Sequence, residues 1–172
     1  YSVTVKDRGS KILVLAIHGG IEPETAEIAD SIAGDDGNEY VFRALETYRG
    51  DFSDLHVTAS RFDDPRALGL ARKSAVCVSI HGFREKESEK ACLGGRNRRL
   101  LARTESVLKK AFPEIEVRTK CEKIDGTDRK HVANRCRKGG IQIELSKKFR
   151  DRLRDHAEDL RKFSKTVRAA AG

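Results

Sequence analysis

The sequence predicts an α/β fold, with one mixed β-sheet flanked by helices. Short apolar runs typical of buried strands alternate along the chain with amphipathic segments typical of helices. The 172 residues are enough for one domain with a substantial hydrophobic core. Because no internal repeat, low-complexity tract or linker divides them, we expect residues 1–172 to form a single domain.

The first half of the chain alternates strands with two helices. The predicted strands cover residues 3–5, 11–17, 39–45, 55–58 and 75–80. The predicted helices cover residues 23–33 and 64–73. Pro23 suits the first turn of the first helix and Gly34 suits its C-terminal cap. An Asp-Pro pair, Asp64 and Pro65, opens the second helix.

The second half continues the alternation. Strands are predicted over residues 90–93, 115–119 and 140–145, with a helix over residues 96–112. Residues 131–136 form a short irregular or helical segment in this interpretation. Within the last strand, Gln142 and Glu144 share one face and the apolar residues share the other. The pattern from residue 146 to residue 171 predicts a final helix with a break near Ser164 and Lys165.

Two histidines, each followed by glycine, end buried strands. His18 follows the apolar run 13–17, and His81 follows the run 76–80. Strand ends of this kind form the ligand-binding edge of open α/β sheets. Glu22 lies four residues after His18, and two imidazoles with one carboxylate leave zinc a fourth position for water. The sequence therefore predicts one zinc ion held by His18, Glu22 and His81.

Glu144 is the candidate general base, because it is a charged residue inside an apolar strand. A carboxylate beside water activated by zinc has the chemistry to hydrolyse an amide. The same pattern also fits an edge strand on which Gln142 and Glu144 face solvent, and the residues alone leave both interpretations open. We expect a structural role for His56, and we expect His131 and His156 to be solvated.

Three polar residues are candidates for substrate binding. Asn134 and Arg135 precede a double glycine, and an arginine with a neighbouring amide suits two-point binding of a carboxylate. Arg61 suits the same task or the stabilisation of an oxyanion.

Charge favours an anionic partner. The net charge is +8 and the pI is about 9.5, so nucleic acid, an anionic membrane surface and an acidic polymer all attract this chain. No apolar stretch approaches the roughly 20 residues that span a bilayer. Aromatic residues are few, Trp is absent, and no nucleic-acid-binding signature is present, so nucleic acid is the less favoured partner.

The four cysteines do not have zinc-knuckle spacing, since none forms a C-x-x-C pair. Cys77 and Cys92 lie in predicted strands and fit buried thiols. Cys121 and Cys136 flank a polar segment and suit a disulfide in an oxidising compartment. The sequence leaves this pairing open.

Together these residues resemble the poly-γ-glutamate hydrolase family of bacteriophages and bacterial chromosomes. The matching segments keep their order from about Lys11 to Arg150 and include residues 16–29, 55–58, 61–65, 78–83, 94–95, 134–135 and 139–146. The resemblance implies a zinc carboxypeptidase-like fold and hydrolysis of γ-glutamyl bonds. It also implies that His18, Glu22 and His81 bind zinc, that Glu144 is the general base, and that Asn134 and Arg135 grip a substrate carboxylate.

Two positions depart from the family pattern. The spacing from His18 to Glu22 is one residue shorter than usual, which raises the prospect that Glu22 is displaced and Glu27 replaces it. Glu24 stands where glycine is common.

These observations predict a zinc-dependent hydrolase acting on poly-γ-glutamate. The alternatives are a zinc amidase for another γ-glutamyl or N-acyl amino acid substrate, and a basic nucleic-acid-binding module without enzymatic activity. We expect a monomer with no membrane partner. We also expect action outside the cell, through export or through release on host lysis.

Overall fold

A computed structural model describes residues 1–45, 50–119, 121 and 124–172. Its strands are β1 (Ser2–Lys6), β2 (Ile12–Ala16), β3 (Asn38–Arg43), β4 (Val76–Phe83), β5 (Lys90–Gly95), β6 (Glu116–Arg118) and β7 (Gly140–Ser146). Its helices are α1 (Thr25–Ala33), α2 (Pro65–Lys73), α3 (Arg98–Ala111), α4 (Lys147–Asp155) and α5 (Ala157–Ala171). Short 3₁₀ helices cover Phe52–Leu55 and Val132–Arg135.

The strands form a single mixed sheet in the order β1-β3-β2-β4-β7-β5-β6. Strands β3, β2, β4 and β7 are parallel to one another, whereas β1 and β5 run antiparallel to β3 and β7. The predicted α/β class with a mixed sheet is confirmed. Because four central strands are parallel, their carboxyl ends meet at one edge, where a ligand site is expected.

Side-chain alternation divides the core between the two faces of the sheet. One face, which includes Val78 and Ile143, packs with α1, α3, α4 and α5. The other face, which includes Leu13 and Cys77, packs with α2 and the 3₁₀ helix Val132–Arg135. Near the carboxyl ends of β4 and β7 this second face becomes polar, with Ser79, His81, Gln142 and Glu144 in place of apolar residues.

Several predicted boundaries are wrong. No strand forms over residues 55–58, where the 3₁₀ helix ends at Leu55 and the chain continues as a loop. The final helix breaks at His156 rather than near Ser164 and Lys165, since His156 has an extended backbone between α4 and α5. This bend lets both helices pack aromatic rings against Phe112: Phe149 from α4 and Phe163 from α5. Helix α1 begins at Thr25, two residues later than predicted.

All four cysteines form disulfides. Cys77 pairs with Cys136, and Cys92 pairs with Cys121, with Cα atoms 5.7 and 6.1 Å apart. The structure thus settles the pairing that the sequence left open: neither a Cys121–Cys136 bridge nor free thiols at Cys77 and Cys92 are present. Strand β4 packs against the 3₁₀ helix that precedes Cys136, and this contact brings together cysteines 59 positions apart in the sequence.

Among the described residues, no helix combines the length and apolar character needed to cross a bilayer.

Candidate active site

The site lies at the carboxyl ends of β2, β4 and β7. His18 follows the last residue of β2 by two positions, and His81 lies near the end of β4. Glu144 of β7 is the direct neighbour of His81 in the parallel register. Ser79 and Gln142 form the preceding pair on the same face. The topology thus brings together residues from three distant parts of the chain.

The three predicted metal ligands converge. The Nδ1 atoms of His18 and His81 are 3.2 Å apart. The Glu22 carboxylate places Oε1 2.9 Å from Nδ1 of His18 and Oε2 3.4 Å from Nδ1 of His81. One ligand atom from each residue lies within 4.8 Å of the other two. The side chains are 4%, 13% and 4% exposed for His18, Glu22 and His81, so water provides little screening between them.

Outer hydrogen bonds orient these ligands. Nε2 of His18 lies 2.8 Å from the carbonyl of Val57, which only accepts, so Nε2 carries the proton and Nδ1 presents its lone pair to the site. Nε2 of His81 lies 2.9 Å from the Ser79 hydroxyl. The backbone N–H of Gly82 donates to Oε2 of Glu22 over 2.9 Å. These contacts leave imidazole nitrogens and a carboxylate facing one another.

This donor set fits a zinc ion. Two nitrogens bound to zinc at about 2.0–2.1 Å with tetrahedral angles lie about 3.3 Å apart, close to the observed 3.2 Å. Two imidazoles and one carboxylate are also a ligand set of catalytic zinc sites with an open fourth position.

Burial and mutual contact shift the pKa values of Glu22, His18 and His81. Burial alone raises the pKa of Glu22, but the neighbouring imidazoles of His18 and His81 in their charged forms together outweigh burial and hold this pKa well below its usual range. Burial lowers the pKa of His18. Burial also opposes the charged form of His81, yet the hydrogen bond to the Glu22 carboxylate and the charges of Glu22 and Glu144 together outweigh burial and raise the pKa of His81. Glu22 is therefore the anionic centre of the site.

The short loop after β2 keeps Glu22 in place. The carbonyl of His18 accepts hydrogen bonds from the N–H groups of Ile21 and Glu22, at 3.0 and 2.8 Å. This turn puts the Glu22 side chain next to His18, so the shorter spacing does not move Glu22 away from the predicted ligand position. Glu27, the alternative ligand, instead lines a separate groove beside Leu153.

Glycines are required in this turn by close packing. A Cβ atom at Gly19 would lie 2.1 Å from the carbonyl oxygen of Phe42, and Gly20 has a φ of +82°. Glu24 also has a positive φ, 69°, a conformation that glycine adopts readily and other residues rarely do. This positive φ explains why glycine is common at the position of Glu24 in the family that the sequence resembles.

Arg150 joins the three strand ends. Its buried guanidinium donates to the carbonyls of Leu145, Phe83 and Pro23. Leu145 follows Glu144, Phe83 lies two residues after His81, and Pro23 follows Glu22. A Cβ atom at Gly82 would lie 2.5 Å from the guanidinium carbon, so glycine after His81 makes room for this contact.

Glu144 faces the candidate metal ligands rather than solvent. Strand β7 lies between β4 and β5, and Glu144 is only 8% exposed. The edge-strand alternative is therefore wrong. Burial raises the pKa of Glu144, the neighbouring His81 opposes this shift, and the charge of Glu22 adds to it. A carboxylate with a raised pKa beside a metal site suits proton transfer.

Of the other histidines, His156 is exposed as expected and His131 differs from expectation. His131 is buried, and burial with the nearby His81 lowers its pKa to about 4, so the expected solvation is wrong. His56 stacks on His18 with ring centroids 4.0 Å apart, and its Nε2 lies 3.4 Å from Oε1 of Glu22. Three charged residues, 128–130, precede His131 in the sequence, and this polar context led to the prediction that His131 is solvated. An apolar residue on each side of His56 suggested a strand.

The predicted substrate-binding residues lie around the cleft rather than in it. Asn134 donates from Nδ2 to the carbonyls of Gly126 and Asp128, both at 2.8 Å, and therefore holds the loop that forms one wall. Arg135 is exposed, with Nε directed at the carbonyl of Lys130. Arg61 is exposed and directly follows Ser60, which lines the cleft. The cleft has a volume of about 380 Å³ and contains the metal ligands with Glu144, His56, His131 and Gln142.

Comparison with known proteins identifies the relatives of this arrangement. Residues 1–169 match the family described as poly-gamma-glutamate hydrolase. The chain belongs to the poly-γ-glutamate hydrolase family. Among curated family relatives, UPF0714 protein YndL of Bacillus subtilis (strain 168) is 35% identical over 156 residues, which cover 89% of this chain and 60% of YndL. The chain spans 53–66% of the length of the curated relatives it matches.

Two solved structures resemble the fold over nearly its whole length. A bacteriophage poly-gamma-glutamate hydrolase has a TM-score of 0.87 and 25% identity, covering 98% of this chain and 86% of that protein. YndL in a form described as apo and zinc-free also has a TM-score of 0.87, with 30% identity, covering 98% of this chain and 88% of that one. The sheet and its helices are therefore those of the poly-γ-glutamate hydrolase family.

Proposed function

We propose that this protein is a zinc-dependent hydrolase that cleaves γ-glutamyl amide bonds of poly-γ-glutamate. The observation that carries the proposal is the convergence of His18, Glu22 and His81 beside buried Glu144, in a chain of this family. The solved bacteriophage relative is described as a poly-gamma-glutamate hydrolase, which supports the choice of substrate.

His18, Glu22 and His81 are the residues that would hold the ion. When bound, zinc supplies Lewis acidity that activates water and polarises a substrate carbonyl. The Val57 carbonyl keeps the His18 ring in the orientation that ligation needs, and the Gly82 N–H does the same for the Glu22 carboxylate. The zinc-free description of one YndL structure supports zinc as the metal.

Glu144 is the proton-transfer residue in this proposal. Its carboxylate accepts the proton of the attacking water and then donates it to the leaving amine. Position favours this role, because Glu144 neighbours His81 on the adjacent strand without belonging to the converging ligand set. The raised pKa of Glu144 favours it too, because a carboxyl group that takes up a proton readily is a better base and a better donor.

Exposed cations next to the cleft favour a polyanionic substrate. Exposed cationic residues come directly after three residues that line the cleft, Ser60, Phe83 and Asp128. We call them the rim cations: Arg61, Arg84 and the pair Arg129–Lys130. None of them forms an ion pair with a described acidic residue within 4 Å. Poly-γ-glutamate carries one carboxylate per residue, so these charges attract it in a salt-dependent manner.

The test is digestion of high-molecular-weight poly-γ-glutamate, followed by gel filtration, with metal-free protein before and after addition of zinc. We expect shortening of the polymer only with zinc. His81→Ala should lose zinc and activity together, and Glu144→Gln should keep one zinc per chain while its turnover falls at least about 100-fold. His156→Ala is the control, since this exposed histidine is far from the cleft residues.

Other outcomes redirect or refute the proposal. Zinc binding without polymer cleavage would contradict the substrate and favour another γ-glutamyl or N-acyl amino acid amide. Loss of neither zinc nor activity in His81→Ala would contradict the ligand set. A protein without zinc or hydrolysis that binds DNA with a steep salt dependence would favour the nucleic-acid alternative.

A further inference from the structure

A chain of hydrogen bonds connects the backbone of the 3₁₀ helix Val132–Arg135 to Glu144. The N–H of Ala133 donates to Nδ1 of His131 over 3.1 Å. Nε2 of His131 lies 2.7 Å from Oε1 of Gln142. Nε2 of Gln142 donates to the carbonyl of Ile124 at 2.7 Å and to Oε1 of Glu144 at 3.5 Å.

Donor and acceptor chemistry fixes the direction of every link. A backbone N–H only donates, so Nδ1 of His131 is an acceptor and the ring proton is on Nε2. That N–H therefore donates to the Gln142 side chain, whose oxygen must face His131. The Gln142 NH₂ group is then turned toward Ile124 and Glu144. The tautomer of His131 thus determines that the Gln142 NH₂ group, rather than its oxygen, faces the Glu144 carboxylate.

We propose that His131 is a positioning residue that acts through Gln142 to orient the Glu144 carboxylate toward the metal ligands. This inference rests on the proposed function, in which Glu144 transfers the proton. His131 and Gln142 are both at least 95% buried, so water does not replace the lost partner easily. Among the described residues, Gln142 is the hydrogen-bond donor to the Glu144 side chain.

The same glutamine sets one wall of the cleft. The Ile124 carbonyl that it holds begins the loop of residues 124–128, which lines the cleft. A Cβ atom at Gly126 would lie 2.7 Å from Cδ of Gln142, so this loop rests directly on the glutamine side chain. His131 therefore supports both Glu144 and one wall of the cleft through the single amide group of Gln142.

The experiment uses zinc-loaded protein and a double-mutant cycle. His131→Phe keeps an aromatic ring but removes both nitrogen atoms, and Gln142→Leu keeps the approximate volume but removes the amide. We expect each variant to retain one zinc per chain and to lower kcat about 10–100-fold, with KM changed less than about threefold. In the Glu144→Gln background, His131→Phe should cause no further loss of kcat. His156→Phe is the matched control and should leave kcat unchanged.

An additive loss in the double variant, equal to that in the wild-type background, would overturn the proposal, because His131 would then act independently of Glu144. An unchanged kcat in both His131→Phe and Gln142→Leu would overturn it as well.

A second readout does not need activity. In ¹⁵N NMR spectra His131 should be the Nε2–H tautomer, and His131→Phe should accelerate exchange of the Gln142 side-chain amide protons at least about tenfold. The opposite tautomer, or unaltered exchange, would refute the positioning role. If the wild type cleaves no γ-glutamyl substrate while both NMR results hold, the proposed function fails and the hydrogen-bond chain stands.

Discussion

Replacing Arg150 tests how the strand ends are held together. Arg150→Met keeps the apolar stem and removes a guanidinium that donates to three backbone carbonyls and lies 3.6 Å from Oε2 of Glu24. Arg150 is 3% exposed, and Oε2 of Glu24 is buried with no hydrogen-bond partner. The variant would therefore leave three carbonyl groups and Oε2 of Glu24 without the guanidinium, while Oε1 of Glu24 keeps its ion pair with Arg154 at 3.0 Å.

The expected cost follows from these contacts. Each buried carbonyl left unsatisfied costs about 1–3 kcal/mol before relaxation. Loss of the Glu24 contact adds less than the about 3–5 kcal/mol of a fully broken buried ion pair, because Arg154 still pairs with Glu24. Because Pro23 is exposed and water can reach its carbonyl, we expect a total near 3–5 kcal/mol. For a chain of this size this corresponds to a fall in Tm of about 6–20 °C.

The assay combines urea unfolding with zinc titration at a temperature where the variant is folded. Arg168→Met is the matched control. Arg168 donates to the carbonyls of Ile32 and Ala33 at the end of α1, away from the cleft. We expect both variants to lose stability, but only Arg150→Met to weaken zinc binding, by at least about tenfold, since Glu22 and His81 lie on segments that Arg150 holds.

Two results would refute this reasoning. A loss of less than about 1 kcal/mol would mean that the guanidinium does not hold the strand ends together. Equal weakening of zinc binding in Arg150→Met and Arg168→Met would assign the effect to general destabilisation.

Three further predictions concern other parts of the molecule. Burial, together with the hydrogen bond and charge of Glu39, raises the pKa of Asp30 to about 7. Because this pKa exceeds the unfolded value of 3.8, protonated Asp30 stabilises the folded state. This stabilisation is complete below about pH 4 and is lost as the pH rises through 7. Asp30→Asn should therefore flatten the decrease in the free energy of unfolding between pH 5 and 8, and an unchanged slope in urea titrations would contradict this origin. Because all four cysteines are in disulfides, we expect a thiol assay of the native protein to detect no free thiol. The double variant Cys77→Ala/Cys136→Ala should lower the free energy of unfolding by about 4 kcal/mol, because the bridge closes a loop over 59 positions. An unchanged Tm in reductant would contradict the pairing. Replacing the rim cations Arg84 and Arg129 by Gln should raise KM for the polymer a few-fold at low salt, with kcat unchanged and the difference reduced near 1 M salt; a salt-independent effect would contradict long-range attraction.

The sequence was informative where function depends on local pattern. Continuous apolar runs identified β2 and β4, alternation of apolar residues identified β7, and the two His-Gly pairs marked the strand ends that carry His18 and His81. These signals persist in the linear sequence because each buried strand must be apolar along its own length. The interpretation of Glu144 as a base was also within reach, but the strand pattern could not distinguish it from a solvent-facing residue.

The tertiary structure decided the rest. Strand order makes β7 central, and only this placement buries Glu144 beside His81. The burial of His131, the orientation of Gln142 and the pairing of the cysteines all depend on contacts between segments far apart in the chain. The sequence by itself determined the fold class and the residue types at the strand ends, because local patterning controls secondary structure. Which of those residues meet, and which neighbours orient them, was decided by the order and register of the strands, which no single segment encodes.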